Sequence, residues 1–170
     1  MRIYEIEQKY SIHNPAAIRR SLKKLGAKKI GGGMESNEIF DINGILRRKK
    51  ILFRLRRYGG RRASLTVKGP RLKHRYTKRL EIEMPVDYGK AKVILKILGY
   101  GVRATYSKKR EEYNLLSCTV VVDHLSRLGW FVEIEGKPKA IGRVAKLLDL
   151  PSSARESRSY LSLLYGKGWS

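Results

Sequence analysis

The sequence is poor in the residues that most often carry chemistry. Its one cysteine, Cys118, can make no internal disulfide and belongs to no metal-ligand spacing, which fits a reducing compartment and a small buried hydrophobe. The three histidines, His13, His74 and His124, stand at no catalytic or metal spacing from one another, so none is given a role. No stretch approaches the roughly 20 apolar residues of a membrane span, and the N-terminus lacks the apolar run of a signal peptide. A soluble, cytoplasmic protein without membrane contact is expected. There is no internal repeat of solenoid length and no low-complexity segment, and 170 residues suit one domain spanning 1–170. Acids are scarce too. Against 38 Lys and Arg stand 15 Asp and Glu, a net charge of +23, which points to a polyanionic partner such as a nucleotide, polyphosphate or nucleic acid.

What the chain does contain is charge written at every second position. In Tyr4-Glu5-Ile6-Glu7-Gln8-Lys9-Tyr10 the charged residues would all project from one face of a strand. The same writing returns in Arg54-Leu55-Arg56, Thr66-Val67-Lys68, Arg79-Leu80-Glu81-Ile82-Glu83 and Glu133-Ile134-Glu135. An ordinary half-buried sheet turns its polar face to water. Acids and bases spread so evenly over so many strands point instead to an enclosed face, a barrel with an ionic interior.

Between the strands, Asn14-Pro15 starts a helix that Gly26 ends, with Ile18, Leu22 and Leu25 on one face. Asp87 caps a second helix whose apolar positions Val93, Ile94, Ile97 and Leu98 recur at helical spacing. Pro138 opens a third through Leu148, and a short last helix holds Tyr160, Leu161 and Leu164. Further strands are expected at 38–40, 52–58, 76–86, 102–113, 116–124 and 129–136. The order predicts an α+β protein with a meandering antiparallel sheet whose apolar outer face is covered by helices. Gly31-Gly32-Gly33 reads as a flexible linker, since no GKS or GKT follows it. The basic runs Arg47 to Lys50 and Arg71 to His74 lie near turns and read as solvated loops that gather anions.

The acids form three same-face pairs, Glu5 with Glu7, Glu81 with Glu83 and Glu133 with Glu135, and Asp123 lies on a fourth strand. Carboxylates without nearby His or Cys suit Mg²⁺ or Mn²⁺. One such pair alone fits a solvated strand face. Three together shift the balance, because burying so many like charges without a cation would protonate them. Lys9, Arg54, Arg56, Lys68, Arg79 and Arg110 stand opposite, and Arg grips phosphate oxygens with two parallel hydrogen bonds. The same residues also fit a set of cross-strand salt bridges, each worth little if exposed. At this level the two readings stand level.

Taken in order, these residues resemble a known family. Glu5-x-Glu7-x-Lys9 is similar to the N-terminal ExExK signature of the CYTH superfamily, the triphosphate tunnel enzymes that include class IV adenylate cyclases and thiamine triphosphatases. Ile39-Phe40-Asp41, Phe53-Arg54-Leu55-Arg56, Leu65-Thr66-Val67-Lys68-Gly69-Pro70, Arg79 to Glu83, Lys108 to Tyr113, Asp123, Phe131 to Glu135 and Ser159-Tyr160-Leu161 follow in the family's order. ExExK alone is short and weak; the ordered set is specific. The resemblance implies an eight-stranded antiparallel β-barrel, a triphosphate tunnel with helices packed outside. It implies that Glu5, Glu7, Glu81, Glu83, Asp123, Glu133 and Glu135 supply metal ligands for Mg²⁺ or Mn²⁺. It also implies that Lys9, Arg54, Arg56, Lys68, Arg79 and Arg110 hold the phosphates, with Lys9, Glu7 and Glu133 central to catalysis. The chain is more basic than many members, which leaves room for an RNA end or polyphosphate as substrate. For the basic residue that some members contribute near the C-terminus, Lys167 is a candidate.

The expected function is therefore a metal-dependent phosphohydrolase acting on a linear triphosphate: tripolyphosphate, a nucleoside triphosphate or thiamine triphosphate. The alternatives are a class IV-type adenylate cyclase making cyclic AMP and pyrophosphate, or a non-catalytic protein that binds RNA or polyphosphate through its basic surface. A monomer or homodimer fits each.

Overall fold

Period-two patterning becomes long strands in the computed structural model, which describes residues 4–60, 62–166 and 168–169. The elements run β1 (Tyr4–Ile12), α1 (Pro15–Lys24), β2 (Lys28–Asp41), α2 (Ile45–Arg48), β3 (Leu52–Tyr58), β4 (Arg62–Lys68), β5 (Thr77–Val86) and α3 (Tyr88–Ile97). They continue with β6 (Gly101–Leu115), β7 (Cys118–Leu125), β8 (Gly129–Glu135), α4 (Pro138–Leu147), β9 (Arg155–Glu156) and α5 (Tyr160–Tyr165). Every pairing is antiparallel, in the order β5-β4-β3-β2-β6-β7-β8-β1. β1 closes the ring: its first half pairs with β5 and its second with β8. Where β5 leaves β1, the short β9 takes over that edge at Lys9 and Tyr10. The expected eight-stranded barrel is present. Among the described residues no helix is long and apolar enough to cross a membrane.

Closure inverts the usual sheet. Side chains alternate across each strand, so Glu5, Glu7 and Lys9 turn inward while Ile6 and Tyr10 turn out, and the apolar core lies outside the ring. There α1 and α4 bury Ile18, Leu22, Ile141 and Val144 against Tyr10, Val120, Val122, Val132 and Ile134. Both caps anticipated from sequence form: the Asn14 side chain accepts from the Ala17 N–H with Pro15 in the first turn, and Asp87 accepts from the Lys90 N–H. At one end of the barrel, Tyr160 and Leu161 of α5 pack on Leu125, Phe131, Ile39 and Ala104.

Two expectations are corrected. Gly31-Gly32-Gly33 is no linker but part of β2, paired with Glu112, Glu111 and Arg110 of β6. The reason is close approach: with φ +142 at Gly32, an added Cβ would stand 2.6 Å from the Arg110 carbonyl oxygen. Gly32→Ala is thus expected to cost roughly 1–3 kcal/mol, read as a lower melting temperature than that of Gly33→Ala, whose Cβ meets nothing within 4 Å. Equal melting of the two variants would contradict this. The second correction concerns α3. It packs Ala91 and Leu95 against Phe40 and Leu55, whereas Val93, Ile94, Ile97 and Leu98 are 56–78% exposed. Helical spacing defines a face; it does not say which face the barrel meets. The outer positions Val67, Ile82 and Met84 on β4 and β5 likewise stay uncovered.

Candidate active site

The barrel encloses a cavity of about 540 Å³ lined by seven glutamates and eight Lys or Arg side chains. Register decides who meets whom. On β1, β4 and β5, Glu5 faces Arg79 and Lys68 faces Glu81. The Lys68 ammonium donates to both Glu5 oxygens at 2.8 and 2.7 Å and lies 2.9 Å from Glu81. Arg79 Nε reaches Glu5 at 3.5 Å. Burial alone would raise the Glu5 pKa, but Lys68 and Arg79 hold it well below the usual carboxylate range.

On β3, Arg56 donates to Glu83 at 3.2 Å and to Glu35 at 3.4 Å, and also bonds the Tyr58 hydroxyl. Thr66 donates to Glu83 at 2.7 Å, and Arg54 stands 3.5 Å from Glu83 and 3.8 Å from Glu81. Across the barrel, Arg110 donates to Glu133 at 2.9 Å, and the Lys9 ammonium lies 3.7 Å from Glu133 and 4.1 Å from the centre of the Tyr160 ring.

Asp123 is set apart. It has no exposed surface and does not line the cavity. Its oxygens accept from Lys108 Nζ at 2.8 Å, Arg110 Nε and Nη2 at 2.8 and 2.6 Å, and the Tyr160 hydroxyl at 3.0 Å. Burial would raise its pKa; Arg110 and Lys108 pull it well below the carboxylate range. Asp123, anticipated as one of the metal ligands, is in this structure the carboxylate that holds Arg110 and Lys108.

Glu7 is the reverse case. It stands in register with Glu135, and among the described residues no base forms an ion pair with it. Burial first, then the neighbouring Glu5 and Glu133, push its carboxyl up to about 7.

The donors show a matching shortfall. The buried Nε–H groups of Arg54, Arg56 and Arg71 have no acceptor, an unusual condition for buried polar groups. For Arg71 this corrects the reading of its run as a solvated loop. The side chain lines the cavity, and burial together with the nearby Arg79 lowers its pKa. Among the described residues no three acidic, His or Cys groups converge tightly enough to form a ready metal cluster. The donor chemistry still fits a hard cation: carboxylate oxygens only, one of them poorly compensated.

These features now have a context. The family model described as CYTH domain matches residues 4–160. The chain belongs to the CYTH family. A Methanocaldococcus jannaschii protein named "Putative adenylate cyclase" is 31% identical over 149 residues, 85% of this chain and 83% of its own length. A conserved hypothetical protein from Pyrococcus furiosus superposes with a TM-score of 0.81 at 28% identity, over 94% of this chain and 99% of its own. A Hippeastrum protein with a dominant triphosphatase activity shares the fold at a TM-score of 0.71 and 14% identity, covering 95% of this chain and 94% of its own.

Of the residues anticipated from sequence, the barrel of this CYTH chain gathers Glu5, Glu7, Lys9, Arg54, Arg56, Lys68, Arg79, Glu81, Glu83, Arg110, Glu133 and Glu135 on one lining. Asp123 lies behind it, and Lys167 lies outside the described residues. Sequence reasoning missed Glu35, Lys108, Glu112, Arg71 and Tyr160. Lys108-x-Arg110-x-Glu112 carries the same alternation as the other strands and was legible. Glu35, 2% exposed, shares its parity with Asn37 but was hidden by starting that strand at Glu38. Tyr160 carries no local signal.

Proposed function

We propose that this CYTH protein is a metal-dependent phosphohydrolase that cleaves linear triphosphates inside the barrel. The observation that carries the reading is the double shortfall in pairing among the described residues: buried guanidinium N–H groups without acceptors on one side, and a glutamate with no ion-pair partner on the other. A ligand with anionic oxygens and a bound cation would satisfy both at once.

Arg54, Arg56, Lys68, Arg79, Lys9 and Arg110 hold and align the phosphates, exchanging carboxylate partners for phosphate oxygens. Their positive charge is fixed in place before the substrate arrives, which favours a transition state with charge spread over phosphoryl oxygens. Glu7, Glu133 and Glu135, with Glu5, Glu81 and Glu83 alongside, are the groups to hold Mg²⁺ or Mn²⁺. Such an ion supplies charge neutralisation and an activated water. Asp123 acts as a positioning residue, fixing the Arg110 fork toward Glu133.

Hydrolysis ranks first because it needs only phosphate recognition and water, and because the same fold carries triphosphatase activity in the Hippeastrum protein. The name of the Methanocaldococcus jannaschii relative supports cyclisation of ATP as the second reading. The deciding experiment incubates the protein with tripolyphosphate, ATP, GTP and thiamine triphosphate, with Mg²⁺ or Mn²⁺, and separates the products. Phosphate release is expected. Cyclic AMP with pyrophosphate would establish the cyclase, and no turnover with either metal would leave a protein that only binds RNA or polyphosphate.

A further inference from the structure

The helices cover two arcs of the barrel. α1 and α4 bury the outer faces of β1, β7 and β8, and α3 packs on β2 and β3. Among the described residues the outer face of β4 and β5, between those arcs, has no helix over it. The placement of α3 joins its own exposed side to that gap. Arg57 lies 4.9 Å from the ring of Tyr88 at the start of α3, and Tyr100, just past its end, meets Phe53 edge-on at 5.3 Å. The helix therefore runs antiparallel to β3, with its end at the level of Phe53. Phe53 pairs with Val67, and Val67 pairs with Ile82. Lys92 donates to Glu38 of β2 at 3.0 Å, which turns that flank of the helix to β2 and the opposite flank, with Ile94 and Ile97, to β4 and β5. Ile94, Ile97 and Leu98 thus lie on the same side as Val67, Ile82 and Met84, which are 36–55% exposed. One apolar patch spans helix and sheet, unlike apolar residues scattered singly over a surface. On the other flank of α3 runs a groove of about 280 Å³ lined by Phe40, Val93, Tyr100 and Val102 together with Lys92 and Lys96.

The charge around this patch has one sign. From Tyr88 to Arg110 the sequence contains no Asp or Glu, and α3 itself carries Lys90, Lys92 and Lys96. The two acids at the start of the helix are engaged. Asp87 accepts from the Lys90 N–H at 2.8 Å, and Glu38 accepts from Lys92 and from the Tyr88 hydroxyl. Whatever covers the patch must be apolar at its centre and negative around it.

We propose that α3 and the neighbouring face of β4 and β5 dock on an anionic lipid bilayer. Ile94, Ile97 and Leu98 enter the boundary of the acyl chains, while Lys90 and Lys96 reach the headgroups along their aliphatic stems. A second copy of this chain would set lysines against lysines with no acid to answer them. A bilayer supplies a continuous negative plane above an apolar interior, and the net charge of +23 draws the protein toward it. The expectation of no membrane contact rested on the lack of a spanning stretch, and a helix lying in the interface needs none. This inference is independent of the chemistry in the tunnel.

The test is co-sedimentation with vesicles of equimolar phosphatidylcholine and phosphatidylglycerol, and with phosphatidylcholine alone, at low and high salt. Any strongly basic protein adheres to anionic vesicles at low salt, so the apolar contribution decides. The parent is compared with Ile94→Ser/Ile97→Ser, whose exposed positions leave the fold intact, checked by melting. The parent is expected to bind the anionic vesicles and to keep part of that binding at high salt. The isoleucine variant is expected to lose affinity by about tenfold or more, together with the salt-resistant part. Lys90→Glu/Lys96→Glu is expected to lose roughly tenfold or more at low salt. Equal binding by the parent and the isoleucine variant would reduce the effect to general adhesion and overturn the inference, as would no binding by the parent. If the serine variant melts early, an environment-sensitive dye on Ile97→Cys replaces it, since Cys118 is buried. A blue shift of the dye on anionic vesicles supports insertion, and an unchanged spectrum overturns it. Sedimentation velocity without vesicles examines the other occupant: a dimer that Ile94→Ser/Ile97→Ser dissolves would assign the face to a second copy and overturn the lipid reading.

Discussion

A Glu7→Gln protein is expected to lose turnover by roughly 10²–10³-fold and yet, without metal, to melt higher than its parent at pH 8. Both effects come from the same surroundings. Burial, Glu5 and Glu133 push the Glu7 carboxyl up from 4.5 to about 7. Between those values the folded protein keeps a proton that the unfolded chain has released. Stability present in mild acid is therefore lost as pH rises from about 4.5 through about 7. Glutamine keeps the shape and omits the charge. Its advantage should vanish near pH 4.5 and grow to something on the order of 2 kcal/mol above pH 7, several degrees in melting temperature. Glu5 and Asp123, with lowered pKa values, destabilise both proteins as pH falls into the acid range, so they largely cancel in the comparison. Added Mg²⁺ should raise the melting temperature of the parent at pH 8 more than that of the variant. Thermal melts across pH, paired with a turnover assay, check this. Full metal-dependent activity in the variant would sink the proposed role of Glu7, and identical melting at pH 8 would sink the electrostatic account.

Asp123→Ala is expected to do the opposite, harming the fold first. The substitution strips the buried Lys108 and the partly buried Arg110 of their shared carboxylate and leaves the Tyr160 hydroxyl without its acceptor. Breaking a buried pair from one side costs about 3–5 kcal/mol, because an uncompensated charge remains. Glu35, 3.6 Å from Lys108 and 3.7 Å from Arg110, retains part of the compensation and places the result toward the lower end. A fall in melting temperature of roughly 10 °C follows from that range. Asp123 read instead as a metal ligand predicts a raised metal requirement with little change in melting. Calorimetry beside an Mg²⁺ titration separates the two, and an unchanged melting temperature would return Asp123 to the ligand set.

Much of this molecule was legible from spacing. Alternation identified Glu5, Glu7 and Lys9, or Arg54 and Arg56, as sharing a face, and their repetition over many strands argued for enclosure. What went unread has specific causes. Gly31 to Gly33 looked like a break because glycine is the usual residue of turns, yet here Gly32 lets two strands come close. Glu35 and Lys108 sit in strands whose ends were drawn differently or whose alternation was only half followed. Arg71 lies in a loop, where no period reports what a side chain faces.

The sequence by itself determined the set of charges, the strand faces they occupy, and the helix starts at Asn14 and Asp87, because these depend on backbone geometry between near neighbours. Only the tertiary structure decided which charge answers which. Glu7 and Asp123 are both acids on strands, but closure of β1 onto β8 adds Glu133 and Glu135 to the Glu5 that Glu7 already has on its own strand, while the β6–β7 register sets Asp123 against Arg110. One pKa rises and the other falls. Coulomb energy depends on distance through space, and period two specifies a face without specifying what stands across it.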